Sequence, residues 1–571
     1  MIENIVLYKE RIKSITFSIL ILFSIIKILS VTKLEFNIIQ YRVIYTRTFE
    51  DYLIDPLIDA LLIYASSIFL TVYLKKIYLT LVLSILFVLS IINNNLMDLT
   101  SSSAAIIVSF FLIKERSINF TSLYYIIFII LIFEAASLLR WSIHPLFPSL
   151  IYEDQSWKVA FIEAKLFYLL GIISPLLMLL ILFSFFIKPY IKRVIEINDR
   201  NGLLNHRLLL FLSLLFSIIL SIYPYIPTIN PDFKGVSIDE KYYLQWIEQS
   251  KSESIFTIAD GSRPLTLLLI ISLQSFTGLP SHIVIRFLPL ILAPLLSISI
   301  YTFIKYSIEN KIVASIASLL TLSSYQFVIG IYAGFFANWL ALITSYLAFL
   351  FAVKALKRNK KIDYLLLSIA SITTLFIHIY TWSYLIATLL LYTIISVIIY
   401  RKEIREKYKG LILLAIIIAS NIVIDNVRAY YINSMDTASI NLKIAKNSIG
   451  MNYFLSRWNN LETTFKLYVG GHFTNSIMLI LVFVWIINAR YGNPFDRIIL
   501  SSIFIGLIPT LFGDIVMQTR MFYNMPIQIA TALAIYPLTY GSSLRKLIFI
   551  SIILHLFNYT LRALANSYLL Q

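Results

Sequence analysis

Residues 261–306 read GSRPLTLLLIISLQSFTGLPSHIVIRFLPLILAPLLSISIYTFIKY, and how this stretch meets a bilayer decides the topology of the chain. Pro264 to Thr277 is apolar but only about fourteen residues long, in the range of interfacial or re-entrant segments, whereas the run at 282–304 is long enough to cross. Ser262 as cap, Pro264 at the first helical position and Gly278 at the end delimit a short helix. Laying that helix on the outer surface keeps the basic clusters Lys354/Lys357/Arg358/Lys360/Lys361 and Arg401/Lys402/Arg405/Lys407/Lys409 on the same side as Lys75/Lys76, Lys114/Arg116 and Lys188/Lys192/Arg193. The positive-inside rule makes that side cytoplasmic.

The rest of the chain fits this frame. Hydrophobic residues make up 59% of the 571, charged residues 13%, and the mean hydropathy is +0.84, beyond the range of soluble domains. Apolar runs predict helices at 12–32, 57–74, 77–94, 101–114, 121–139 and 168–188, then at 207–225, 282–304, 311–329, 333–354, 363–380, 382–400, 410–425, 475–489, 497–513, 523–541 and 546–566. The reading is an all-α polytopic membrane protein of about seventeen spans. Residues 1–190 form an N-terminal six-helix bundle, 191–206 a cytoplasmic linker, and 207–571 a second domain with external loops at 226–281 and 426–474. The net charge of +17 lies in short clusters between apolar runs, so it reports topology rather than nucleic-acid binding. The absence of cysteine excludes disulfides, thiolate metal sites and cysteine nucleophiles.

The first external loop carries SIDEKYYLQW at 237–246. Ser237-Ile238-Asp239-Glu240 fits a capping box, with Ser237 as cap and Glu240 reaching back to it. Asp239 is left over. It reads either as a helix N-terminal acid favoured by the dipole or as a free carboxylate at headgroup depth. Tyr242, Tyr243 and Trp246 place the helix at the membrane surface.

The order of these features resembles the GT-C superfamily of membrane glycosyltransferases, which includes the O-mannosyltransferases and aminoarabinose transferases. A first span is followed by an external loop with the acidic pair Asp239-Glu240, then by Pro264-Leu265 opening a short helix, and then by Arg286-Phe287-Leu288-Pro289 leading into the next span. The resemblance covers roughly residues 205–566. It implies transfer of a sugar from a polyprenyl (dolichyl-type) phosphate donor to an extracytoplasmic glycan, lipid or protein acceptor by a multi-pass protein of the plasma membrane. The second external loop, IYAGFFANWLA at 331–341, has no acid where several family members do, leaving Asn338 as its polar candidate. The Trp-Trp-Asp signature of oligosaccharyltransferases is missing, which sets that branch aside.

Such chemistry needs a carboxylate to take the acceptor's proton and cations to hold a phosphate gaining charge. Asp239 is the candidate base, with Glu240 as its partner or as co-ligand of a divalent metal, Mg or Mn. Arg263 and Arg520, the latter in GDIVMQTRMFYNMP at 513–526, are the phosphate candidates, and each reads equally as an arginine snorkelling at a helix end. Arg286, near the outer end of an apolar run, is functional or paired. His378 in FIHIYTW binds sugar or phosphate, or anchors the chain in the aromatic belt. Tyr243 and Asn338 complete the candidate substrate contacts. In loop 426–474, Arg428, Tyr430, Tyr431, Arg457, Trp458 and His472 suit either sugar stacking or headgroups.

In the N-terminal part, Glu134, Arg140, His144, Glu153 and Asp154 have no metal-ligand spacing and read as an accessory bundle with a capped loop. The rivals to an enzyme are a transporter or flippase of lipid-linked glycans, which predicts broken helices and mid-span ionisable groups, and a non-catalytic membrane scaffold.

Overall fold

The computed structural model describes residues 77–90, 205–400, 404–432, 476–490, 492–512, 515–540 and 543–565, with single positions 63, 66, 67, 103, 104, 135 and 138. Every regular element among them is helical. Six helical stretches are long and apolar enough to cross a membrane: His206–Tyr225, Ser281–Ile308, Lys311–Ala333, Phe336–Arg358, Ile379–Ile399 and Tyr408–Tyr431. The protein is therefore of the helical membrane class. Of the six predicted N-terminal spans only Ile77–Ser90 (α1) is a described helix, and the candidates from Glu134 to Asp154 lie outside the described residues. Packing divides the chain into one unit of residues 1–140, 149–184 and 542–555 and another of 141–148, 185–541 and 556–571.

The second unit holds most of the described helices and opens with α2 (His206–Ile222), capped by the Asn205 side chain. A loop leads to α3 (Glu240–Gln249) and then to α4 (Pro264–Thr277), the short helix expected between Ser262 and Gly278. Pro264 stands at its first position and Gly278 closes it in the left-handed conformation (φ 67°), as read from sequence. The cap differs. Arg263 occupies the N-cap position without a side-chain capping bond, and the Ser262 hydroxyl accepts instead from Arg263 Nε at 3.2 Å.

The next span is built of α5 (Ser281–Phe287) and α6 (Pro289–Ile308), divided where Pro289 lacks an N–H. Then come α7 (Lys311–Thr321), α8 (Tyr325–Ala333), α9 (Phe336–Arg358), α10 (Lys361–Ile377) and α11 (Ile379–Ile399). The second external loop of the sequence reading shrinks to Gly334 and Phe335, because α8 runs to Ala333 and the glycine turns the chain at φ 77°. Asn338 thus lies in the first turn of α9, not in a loop.

Beyond them, α12 (Ile404–Tyr431) is longer than predicted and carries Arg428, Tyr430 and Tyr431 on its last turn. Arg428 pairs there with Asp425 at 2.7 Å, one helical turn away, so the two buried charges neutralise each other within the helix. Arg457, Trp458 and His472 lie outside the described residues.

The chain ends in α13 (Ser476–Asn488), α14 (Pro494–Leu507), α15 (Pro509–Phe512), α16 (Ile515–Tyr523), α17 (Ile527–Ile535) and α18 (Ser543–Ala565). Two of the predicted spans are broken by prolines, at Pro509 and Pro526. In a bilayer the freed backbone groups need internal partners. Around Pro526 they find them. Gln326 Nε2 donates to the carbonyls of Tyr523 and Met525 at 3.0 and 3.1 Å, and the Tyr325 hydroxyl donates to Phe522 O at 2.7 Å. Gln528 Nε2 and the Tyr346 hydroxyl both donate to Gln326 Oε1. This polar knot ties the start of α8 to the end of α16, and so fixes Arg520, one turn before the break.

Candidate functional site

The acid loop is held by a helix end. Three carbonyls in the last turn of α8 have no helical partner, and three successive residues supply one each: Ser237 Oγ donates to Ile331 O (2.8 Å), Ile238 N to Tyr332 O (2.9 Å) and Asp239 N to Ala333 O (3.1 Å). The capping box predicted for Ser237 and Glu240 is therefore absent. Asp239 is the N-cap of α3, but its side chain makes no capping bond.

Gly334 allows this docking, since a Cβ there would lie 3.0 Å from Ser237 Cβ and 3.2 Å from Asp239 Cβ. Gly334→Ala is expected to lower stability by at least the ~1–2 kcal/mol of left-handed strain, because the loop must also move. Thermal unfolding of the purified variant measures it, and an unchanged midpoint would contradict the docking.

Glu240 goes elsewhere. The residue is buried, 6% exposed, and Oε1 accepts from Arg286 Nε and Nη2, both at 2.8 Å. Gly235 packs so closely on Oε2 that a Cβ would overlap the carboxylate. Arg286 Nη1 donates to Phe233 O at 2.6 Å. Of the two readings of Arg286, functional or paired, the structure shows the pair, and Glu240, read as the companion of Asp239 or as a metal co-ligand, is instead clamped to Arg286. A divalent Mg or Mn at Asp239/Glu240 does not fit, since both Glu240 oxygens are occupied or covered, and no group of three His, Asp or Glu ligands occurs among the described residues.

Asp239, freed by that pairing, is half-buried and faces two arginines. Burial raises its carboxyl above the usual range, and Arg520, Arg263 and Lys241 oppose the rise. Among the described residues no ion pair within 4.0 Å involves Asp239, so it contacts neither guanidinium directly.

Arg263 lies over the Trp246 ring at 4.5 Å, and Arg520 over Phe335 at 4.3 Å. Each cation is held on an aromatic face, which costs it none of its outward donors. Arg520 Nη1 also donates to Asn338 Oδ1 at 3.3 Å, and Asn338 Nδ2 to Thr381 Oγ1 at 3.2 Å.

His378, 1% exposed, is buried rather than set in an aromatic belt. It breaks the chain between α10 and α11 in an extended conformation, and its Nδ1 accepts from Thr381 N at 3.3 Å as the cap of α11. Nδ1 as acceptor leaves the proton on Nε2, which has no protein partner. Arg263 and Arg520 are both within its electrostatic reach. Thr266 Oγ1 donates to Ile377 O at 3.2 Å and joins α4 to this corner.

Asn524, absent from the sequence candidates, contributes Oδ1 to Thr381 at 3.4 Å, and its Nδ2 is buried without a partner. Tyr243 is fully enclosed beside Arg263, and its hydroxyl accepts from Ala337 N at 3.2 Å, which ties α3 to the first turn of α9.

The structure thus brings Asp239, Arg263, Arg520, Asn338 and His378 to one corner of the bundle and directs Glu240, Arg286 and Tyr243 into its scaffold. A carboxylate near two guanidiniums but not paired with them can accept a proton while the cations hold an anion. No protein-family model matches the chain, and no curated protein matches it.

Proposed function

We propose that the chain is a GT-C-like membrane glycosyltransferase that moves a sugar from a polyprenyl monophosphate to an acceptor hydroxyl on the extracytoplasmic side, with Asp239 as general base. The observation that carries this reading is that Arg263 and Arg520, drawn from distant parts of the sequence, both act electrostatically on Asp239 and on His378, whose Nε2 is buried without a partner. Asp239 takes the acceptor's proton. The acceptor oxygen bonds to the anomeric carbon with inversion as the bond from that carbon to the phosphate oxygen breaks, and its electron pair stays on the phosphate.

Charge supports the assignment. Before transfer, two guanidiniums face Asp239 and a phosphodiester bearing one negative charge. Afterwards Asp239 is protonated and the leaving phosphate carries close to two negative charges at neutral pH. The site stays near neutrality throughout, and the arginines act on charge as it develops. The basic clusters of the sequence support placing this end on the extracytoplasmic side.

Arg520→Ala is expected to weaken donor binding and transfer together by about 1.5–3 kcal/mol, the range for a hydrogen bond to a charged group. Lysine should restore only part, because the planar fork is lost. Equal transfer by wild type and Arg520→Ala would remove the phosphate role.

The two helix breaks, at Leu322–Ser324 and Asn524–Pro526, give a second reading, a transporter of lipid-linked glycans. That reading predicts lipid movement between leaflets without covalent change.

A further inference from the structure

At the far end of α11 from His378, about 30 Å away by helical rise, a second buried cation stands apart from the site above. Arg497 lies in the first turn of α14 and is 0% exposed. Its guanidinium stacks on Tyr400 at 4.4 Å and approaches Tyr392 at 6.0 Å, and Nη2 donates to the Tyr400 hydroxyl at 2.6 Å. Nε and Nη1 meet no acceptor, and among the described residues no carboxylate pairs with this arginine. The neighbouring Asp496 instead gives Oδ2 to the N–H of Arg490 at 2.9 Å.

Two hydroxyls complete the cluster. Tyr392 and Ser396 in α11 and its C-cap Tyr400 recur every four residues and so share one face, on which Tyr392 and Tyr400 meet Arg497; the Tyr392 hydroxyl and Ser396 Oγ are buried without partners among the described residues. A buried charge without a counter-ion is strongly unfavourable. The start of a helix also disfavours a cation and favours an anion. Four hydrogen-bond donors and one positive charge exceed what a single water, with two lone pairs, accepts.

We propose that Arg497, Tyr392 and Ser396 form a binding site for a compact monovalent anion of the chloride class. The enclosure of every one of these groups excludes a lipid phosphate or a free oxyanion as its natural occupant.

The test uses the purified full-length protein in detergent, with chloride exchanged for gluconate at constant ionic strength and thermal unfolding followed by tryptophan fluorescence. The unfolding midpoint should rise with chloride and saturate. Arg497→Gln should abolish the dependence. Should that variant fail to fold, the milder Ser396→Ala should require several-fold more chloride for the same rise. Bromide should replace chloride and give an anomalous scattering peak beside the guanidinium. Equal midpoints in chloride and gluconate, an unchanged chloride dependence in either variant, or an equal rise with inorganic phosphate would overturn the proposal.

Discussion

Asp239→Asn is expected to reduce sugar transfer by about 10²–10⁴-fold, the usual contribution of general base catalysis, without loss of fold. The substitution keeps size and hydrogen-bonding capacity, and the loop is held at this point by its backbone, through Asp239 N and Ala333 O. Burial raises the Asp239 carboxyl. A carboxyl with a folded pKa above its unfolded value favours the native state at low pH, and that contribution is lost as pH rises through the folded pKa. Removing the charge should therefore leave the unfolding midpoint at neutral pH unchanged or higher. The transfer rate of the wild type should fall on acidification at a pH above the ordinary carboxylate range. A capping role predicts the reverse pattern, with transfer retained and about 1 kcal/mol of stability lost. Measuring melting and transfer on the same preparation distinguishes the two.

Glu240→Ala should destabilise the protein by up to about 3 kcal/mol, the low end of the range for breaking a buried pair, because it leaves the half-buried Arg286 without its carboxylate while its bond to Phe233 O remains. Arg286→Met should do the same from the other side by stranding the carboxylate against Gly235. The double variant Glu240→Leu/Arg286→Met should recover most of the loss, since apolar side chains of similar volume replace such pairs at little cost. A double-mutant cycle on unfolding free energies reads this coupling directly. If Glu240 were instead a metal ligand or the catalytic companion of Asp239, Glu240→Ala would abolish transfer with the midpoint intact and the double variant would rescue nothing.

How far the sequence was legible depends on the range of each interaction. The short helix Pro264–Thr277 was readable because proline and glycine act on their own backbone. The apolar runs gave most helices of the second unit within a few residues. The capping box at Ser237 and Glu240 was a sound local signature overruled by tertiary partners: Ile331 lies 94 residues from Ser237, and Arg286 lies 46 from Glu240. No local pattern announces such pairs.

The boundary between the helices predicted at 363–380 and 382–400 falls a few residues earlier, at His378, which caps α11 through its own side chain. Asn524 carried a weaker signal, a polar residue two before Pro526, where a helix must end. Arg497 could have been noticed as a cation inside a predicted span. Its donor-rich surroundings depend on Tyr392 and Tyr400, about a hundred residues away, and only packing brings them together.

The central claim is chemical transfer at the Asp239 end of the bundle. Its most direct test is mass spectrometry of the lipid fraction after the protein, reconstituted in liposomes, is incubated with a panel of polyprenyl-phosphoryl hexoses and a mixed glycan acceptor extract. Free polyprenyl monophosphate should accumulate with wild type for at least one donor and stay at background with Asp239→Asn. Intact donor appearing in the opposite leaflet without polyprenyl monophosphate, or equal release by both proteins, would contradict the account.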